Sequence, residues 1–194
     1  MASTIEMISK AATDWSIEVT PTGATKIESF RDCLPPGTTV NVTFLPGTDP
    51  AETIAVAERL HNDGMRPVPH LAARSLRDAD QLDELLTAFT SRCGVDEVLC
   101  IGGGVDKPVG TFDATIQVLE AGLIQKHGIR SVGVAGHPEG SPDISDEEVA
   151  EALAAKNALA ARDGLNLYIE TQFCFEADIC LLYTSDAADE RSCG

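Results

Sequence analysis

Basic residues are scarce in this chain of 194 residues: 14 Lys and Arg stand against 31 Asp and Glu, a formal net charge of -17. That balance argues against nucleic acid or an anionic membrane surface as the main partner, because both select a basic face. No apolar run reaches the length of a membrane-spanning helix. The first residues, MASTIEMISKAATDWS, lack the apolar core of a secretory signal, so a cytoplasmic protein is expected. The six cysteines, Cys33, Cys93, Cys100, Cys174, Cys180 and Cys193, form no C-x-x-C pair and match no zinc spacing. They read as free thiols, and no metal site is expected. The first strand-like run is followed by Glu18-Val19-Thr20-Pro21 and by no G-x-G-x-x-G, which removes the main signature of a dinucleotide-binding doubly wound sheet.

What is present is a repeated two-part pattern, with an apolar fraction of 43% that suffices for a core. Short β-branched runs at 15–20, 39–45, 66–72, 95–101, 130–135 and 165–172 predict six strands. Helical patterns lie near 50–63, 75–91, 111–127 and 145–163. Asp49-Pro50, Ser75 with Asp78, and Ser145 with Glu148 read as helix starts. Gly64, Gly128 and Gly164 read as left-handed C-terminal caps. Strands alternating with helices predict parallel βα units. Polar residues at strand ends, Glu18, Thr43, His70 and Gln172, favour a (β/α)8 TIM barrel, whose active site gathers at those ends. Eight units need roughly 250 residues. Six strands are therefore a partial barrel, with two unpaired edges and an open apolar interior, and low solubility is expected.

Residues 180–194, CLLYTSDAADERSCG, break the βα pattern. The stretch CLLYTSDAADE is similar to a translated transposase-type sequencing adapter. The expected organisation is a partial barrel over 1–179 and a non-native tail over 180–194, with no role for Cys180 or Cys193.

Four segments carry a resemblance: DWSIEVTP (14–21), RPVPHLAARS (66–75), VGVAGHPEGSP (132–142) and ETQFCFEA (170–177). In this order they resemble the methylenetetrahydrofolate reductase family over about residues 14–179. The resemblance implies a flavin-dependent TIM barrel with FAD at its mouth. NAD(P)H would reduce the flavin and leave. Methylenetetrahydrofolate would then enter and be reduced to 5-methyltetrahydrofolate.

Residue by residue, Glu18 matches the family's catalytic glutamate. It shares a strand face with Ser16 and Thr20, while Trp15, Ile17 and Val19 share the face expected to meet the helices. Placed on the barrel axis, Glu18 would be partly desolvated, which suits a general acid. Gln172 matches the folate-contacting glutamine, whose amide can both donate and accept. Thr43, His70 and Ala135 match residues near the flavin, and His137 stands where tyrosine is customary. Glu170 departs from the family, which usually has an apolar residue there. After the fourth strand the family commonly reads L-R-G-D-x-P, whereas this chain reads CIGGGVDKPVG over 100–110, with glycines at 102, 103 and 104. Gly103 and Gly104 still allow close backbone approach to an anionic cofactor. The charged pair is gone, and Asp106 is the candidate substitute.

Three functions stay open: the flavin-dependent reductase, a flavin-free folate-dependent one-carbon or methyl transferase, and a non-catalytic folate-binding barrel. The partners expected are NAD(P)H and a reduced folate, with a homo-oligomer left open.

Overall fold

Period-two patterning and capped helices build a single parallel sheet. The computed structural model describes residues 3–5, 13, 15–142 and 144–181. Its strands are β1 (Ser16–Val19), β2 (Thr39–Val42), β3 (Arg66–Ala72), β4 (Glu97–Ile101), β5 (Ser131–Gly136) and β6 (Asn166–Thr171). All pairings are parallel, and the strand order is β1-β2-β3-β4-β5-β6 without reversal. The helices are α1 (Pro21–Ala24), α2 (Pro50–Asn62), α3 (Ala79–Cys93), α4 (Thr115–Glu120), α5 (Leu123–Lys126) and α6 (Asp146–Asp163). None is long and apolar enough to cross a membrane among the described residues. The tail from residue 182 on, Cys193 included, lies outside the described residues.

Local chemistry sets the helix boundaries. Asp49 accepts from the Ala51 amide at the start of α2, with Pro50 in the first turn. At the start of α6, Ser145 and Glu148 form a reciprocal capping box. Gly64, Gly128 and Gly164 adopt positive φ where helices stop. Two expectations need correction. The cap of α3 is Asp78, which accepts from the Gln81 amide at 2.8 Å, and not Ser75. Residues Ala73–Ser75 instead make a 3-10 turn, and Leu76 is extended. The helix expected over 111–127 divides into α4 and α5 at Gly122, whose φ of 69° ends one helix and starts the next.

The outer face of the sheet is the core. Val98, Cys100, Val132, Val134 and Leu167 pack under Leu82, Leu86 and Phe89 of α3 and Leu159 of α6. A smaller cluster joins Val40 and Val42 to Phe30, Val56 and Leu60. The outer face of β1 is the exception. Trp15 and Ile17 are both 44% exposed, against the expectation that helices cover them. The reason is local: α1 has four residues, too few to lie along an edge strand.

The inner face is polar at its N-terminal half, not apolar as expected, with Ser16, Thr39, Asn41, Glu97 and Glu170 lining it. The sheet is curled. Asn41 on β2 donates to Glu170 on β6 at 3.4 Å across the inside. Following the registers from Asn41 through β3, β4 and β5 leads to Asn166 on β6, four residues before Glu170. The strands therefore tilt as the sheet curls, by four residues of stagger over four strand steps. One inward row, His70-Leu99-Gly133-Tyr168, fills the curl. A Cβ on Gly133 would lie 2.6 Å from the Tyr168 ring and 2.7 Å from a Leu99 methyl, so only glycine lets the phenol lie there.

Candidate active site at the strand ends

Adjacent parallel strands bring Glu18, Thr43 and His70 together. The backbone amide of Thr43 donates to the Val19 carbonyl at 3.0 Å, which fixes the end of β2 against β1. From there the Thr43 hydroxyl donates to Glu18 Oε1 at 2.7 Å. His70 Nε2 stands 3.6 Å from the same oxygen, too far for a strong hydrogen bond. His70 is 9% exposed. Burial lowers its pKa below the usual histidine value, and the nearby Glu18 charge opposes that only in part. The ring is therefore neutral at neutral pH.

The expected desolvation of Glu18 is not found. Its side chain is 52% exposed, because β1 is an edge strand and the mouth beside it is open. Glu170 is a carboxyl with a raised pKa. Burial contributes most, followed by the negative charges of Glu18 and Glu97. Tyr168 is also held above the usual tyrosine range, first by burial and then by the adjacent Glu97 carboxylate.

The remaining expected site residues are more dispersed. Gln172 is exposed, and its backbone amide donates to the Gly136 carbonyl at 2.9 Å. Ala135 is opposite Glu170 in the ladder. His137 follows β5, with its pKa lowered by burial and by Lys156. Gly103 has φ of 95°, and a Cβ there would come within 3.3 Å of the Ala72 methyl. At Gly104 a Cβ would meet nothing within 4 Å. Asp106 is exposed and acts through its backbone, whose carbonyl accepts from Arg74 Nη2 at 2.7 Å.

Two residues at these ends have structural roles not assigned from the sequence. Arg74, after β3, ties down the loop after β4: it binds Asp106 and stands 3.6 Å from Asp113. Its backbone pairs with Gly102 and Val109. A cation directly after a strand was the available signal. Glu139, in the loop after β5, accepts from the amides of Phe175 and Glu176 and so ties the segment after β6 to that loop. It lies inside the H-P-E motif but was given no role.

Phe173 and Phe175 meet edge to face at 4.9 Å, and both rings are largely exposed. A cavity beside His70, lined also by Thr53 and Phe89, holds only about 30 Å³. That is too small for a substrate. The buried thiols are inert: burial pushes Cys93 up to about 11 and Cys100 up to about 12. Among the described residues no cluster of three or more His, Cys, Asp or Glu side chains is arranged to hold a metal ion. No known family model matches the chain.

Proposed function

We propose that this chain is the greater part of a (β/α)8 barrel that carries out flavin-dependent reduction of 5,10-methylenetetrahydrofolate to 5-methyltetrahydrofolate at the expense of NAD(P)H. The observation that carries the reading is the cluster of Glu18, Thr43 and His70 at the ends of β1, β2 and β3. The barrel is supported by the sequential strand order and by the stagger of one residue per strand, which matches a shear of eight over eight strands.

Three features of the mouth support a flavin nucleotide as its occupant. His70 Nε2 is buried without a hydrogen-bond partner. Thr43 adds a hydroxyl beside it. The backbone at Gly102 and Gly104 is open where side chains would otherwise project. His70, Thr43, Gly103, Gly104, Ala135 and His137 are the residues that would hold FAD. When bound, FAD supplies the capacity to take hydride from NAD(P)H and pass it to a folate carbon.

The chain's own part is protonation and positioning. Thr43 holds Glu18 in one orientation through its 2.7 Å bond. Glu18 transfers a proton to one nitrogen of the methylene bridge. The bond from that nitrogen to the bridging carbon breaks, and the carbon remains as an iminium on the second nitrogen, ready to accept hydride. A pterin seated over Glu18 would exclude water from a carboxyl that is otherwise half exposed, and so would supply the desolvation a general acid needs. Gln172 offers its amide to the pterin edge.

A flavin-free folate-dependent transferase is the second reading. It is favoured by the glycines at 102 to 104, which leave that loop without the family's charged pair, and by the exposure of Asp106. Titration of the purified chain with FAD separates the two. The reductase reading expects saturable quenching of flavin fluorescence, and reoxidation of the bound reduced flavin by methylenetetrahydrofolate. Saturable folate binding without any flavin binding would favour the transferase.

A further inference from the structure

Toward the N-terminal ends of the strands the inner face holds a second feature, a polar cavity of about 310 Å³. This is the low end of the range for small-molecule sites. Its lining is polar throughout and includes two carboxyl groups, Glu97 and Glu170. Asn41 is 4% exposed, and its Nδ2 donates to Glu170 while its Oδ1 is buried without a hydrogen-bond partner. A buried amide oxygen left unsatisfied is costly, so the site has use for an N–H donor. Glu170 has no cationic partner among the described residues, although burial, Glu18 and Glu97 all disfavour its charged form. The Glu97 side chain, 17% exposed, is hydrogen-bonded by the Tyr168 phenol, and its nearest cation, Arg66 Nη2 at 3.9 Å, is shared with Asp96 at 3.5 Å.

The carboxylates are spread rather than convergent. Glu97 is on β4 and Glu170 on β6, with β5 between them. A single metal ion is poorly served by that spacing, in keeping with the absence of any metal-holding cluster among the described residues. An extended group of N–H donors is well served by it. We propose that this cavity binds a small organic cation carrying an ammonium or guanidinium group, held by Glu170, Glu97 and the orphan Asn41 Oδ1. The cavity begins at Asn41, the inward position next to Thr43, and the inference does not rest on the flavin and folate reading.

The probe is agmatine, whose guanidinium and ammonium are joined by a short methylene chain. Calorimetric titration of the whole chain at physiological ionic strength should give saturable binding of one equivalent. Glu170→Gln and Glu97→Gln should each weaken it by at least about tenfold, since each removes one charge-assisted hydrogen bond. Magnesium should not compete. A wild-type measurement guards against variants that fail to fold. The other charged or titratable groups on this face are Glu18 on β1, Arg66 and His70 on β3, Glu97 on β4 and Tyr168 on β6. Glu170 itself is a carboxyl with a raised pKa. Binding at mildly acidic pH should therefore release protons, read as a dependence of the heat on buffer ionisation enthalpy. Non-saturating binding that disappears with salt, equal affinity in Glu170→Gln, or heats independent of buffer would overturn the proposal.

Discussion

Asn41 on β2 and Glu170 on β6 meet across the inside of the sheet at 3.4 Å, although their strands are four steps apart in the hydrogen-bonded order. The contact ties the curl of the sheet to the ionisation of one carboxyl.

Glu170 has a pKa above the ordinary glutamate value in the folded protein. The folded state thus keeps this proton over a window where the unfolded chain has lost it. The resulting stabilisation is complete below the unfolded value and disappears as pH rises through the folded value. Glu170→Gln is expected to gain stability relative to wild type as pH rises from about 4 to about 7. Urea midpoints at the two pH values check this, and an unchanged difference between the proteins would refute it.

Gly133 and Tyr168 share an inward row. Gly133→Ala forces the phenol off its seat and should cost about 1–3 kcal/mol. Adding Tyr168→Ser should recover part of that loss, because the two sites share one volume. Denaturant melts of both single variants and the double variant test the coupling. Strict additivity would contradict the packing.

Arg74 and Asp106 separate side-chain from backbone effects. Asp106→Asn keeps the carbonyl that accepts from Arg74 and should leave the loop after β4 unchanged. Arg74→Ala removes the tie and should speed amide exchange over residues 103–111 by about tenfold. If Asp106→Asn loosens the loop as much as Arg74→Ala, the carboxylate has a role that its exposure does not explain.

His70 gives a stability signature of the opposite sign. Its pKa is lowered by burial, so the unfolded chain takes up a proton before the folded one does. Its contribution is complete above the ordinary histidine value and is lost as pH falls below it. His70→Gln should be less sensitive than wild type to acidification from about pH 7 to about pH 5. Thermal midpoints across that range measure the difference. Equal acid sensitivity in the two proteins would contradict the burial.

Much of this architecture was legible because it is written locally. The third strand was expected over 66–72 and is Arg66–Ala72, since its apolar run is bounded by Gly64 on one side and Ser75 on the other. Asp49, Ser145 and the terminal glycines act within one helical turn of where they stand. What was misread depends on distant neighbours. Ser75 was expected to cap a helix but lies in a turn pinned by Gly102 and Val109 of a later loop. Glu18 was assigned to the inner face correctly by strand parity, and its contacts with Thr43 and His70 follow from register. Its exposure did not follow, because burial at an edge depends on which elements flank β1. Glu170 was noted as a departure, but its role depends on a tilt visible only once the strands are assembled.

On the proposed function, Glu18 protonates the substrate and takes no part in flavin reduction. Rapid-mixing kinetics on FAD-loaded Glu18→Gln, with each half-reaction followed separately, test it most directly. Flavin reduction by NAD(P)H is expected to stay within about twofold of wild type, while reoxidation by methylenetetrahydrofolate slows by about 100-fold or more. Equal loss in both half-reactions, or none in either, would contradict it.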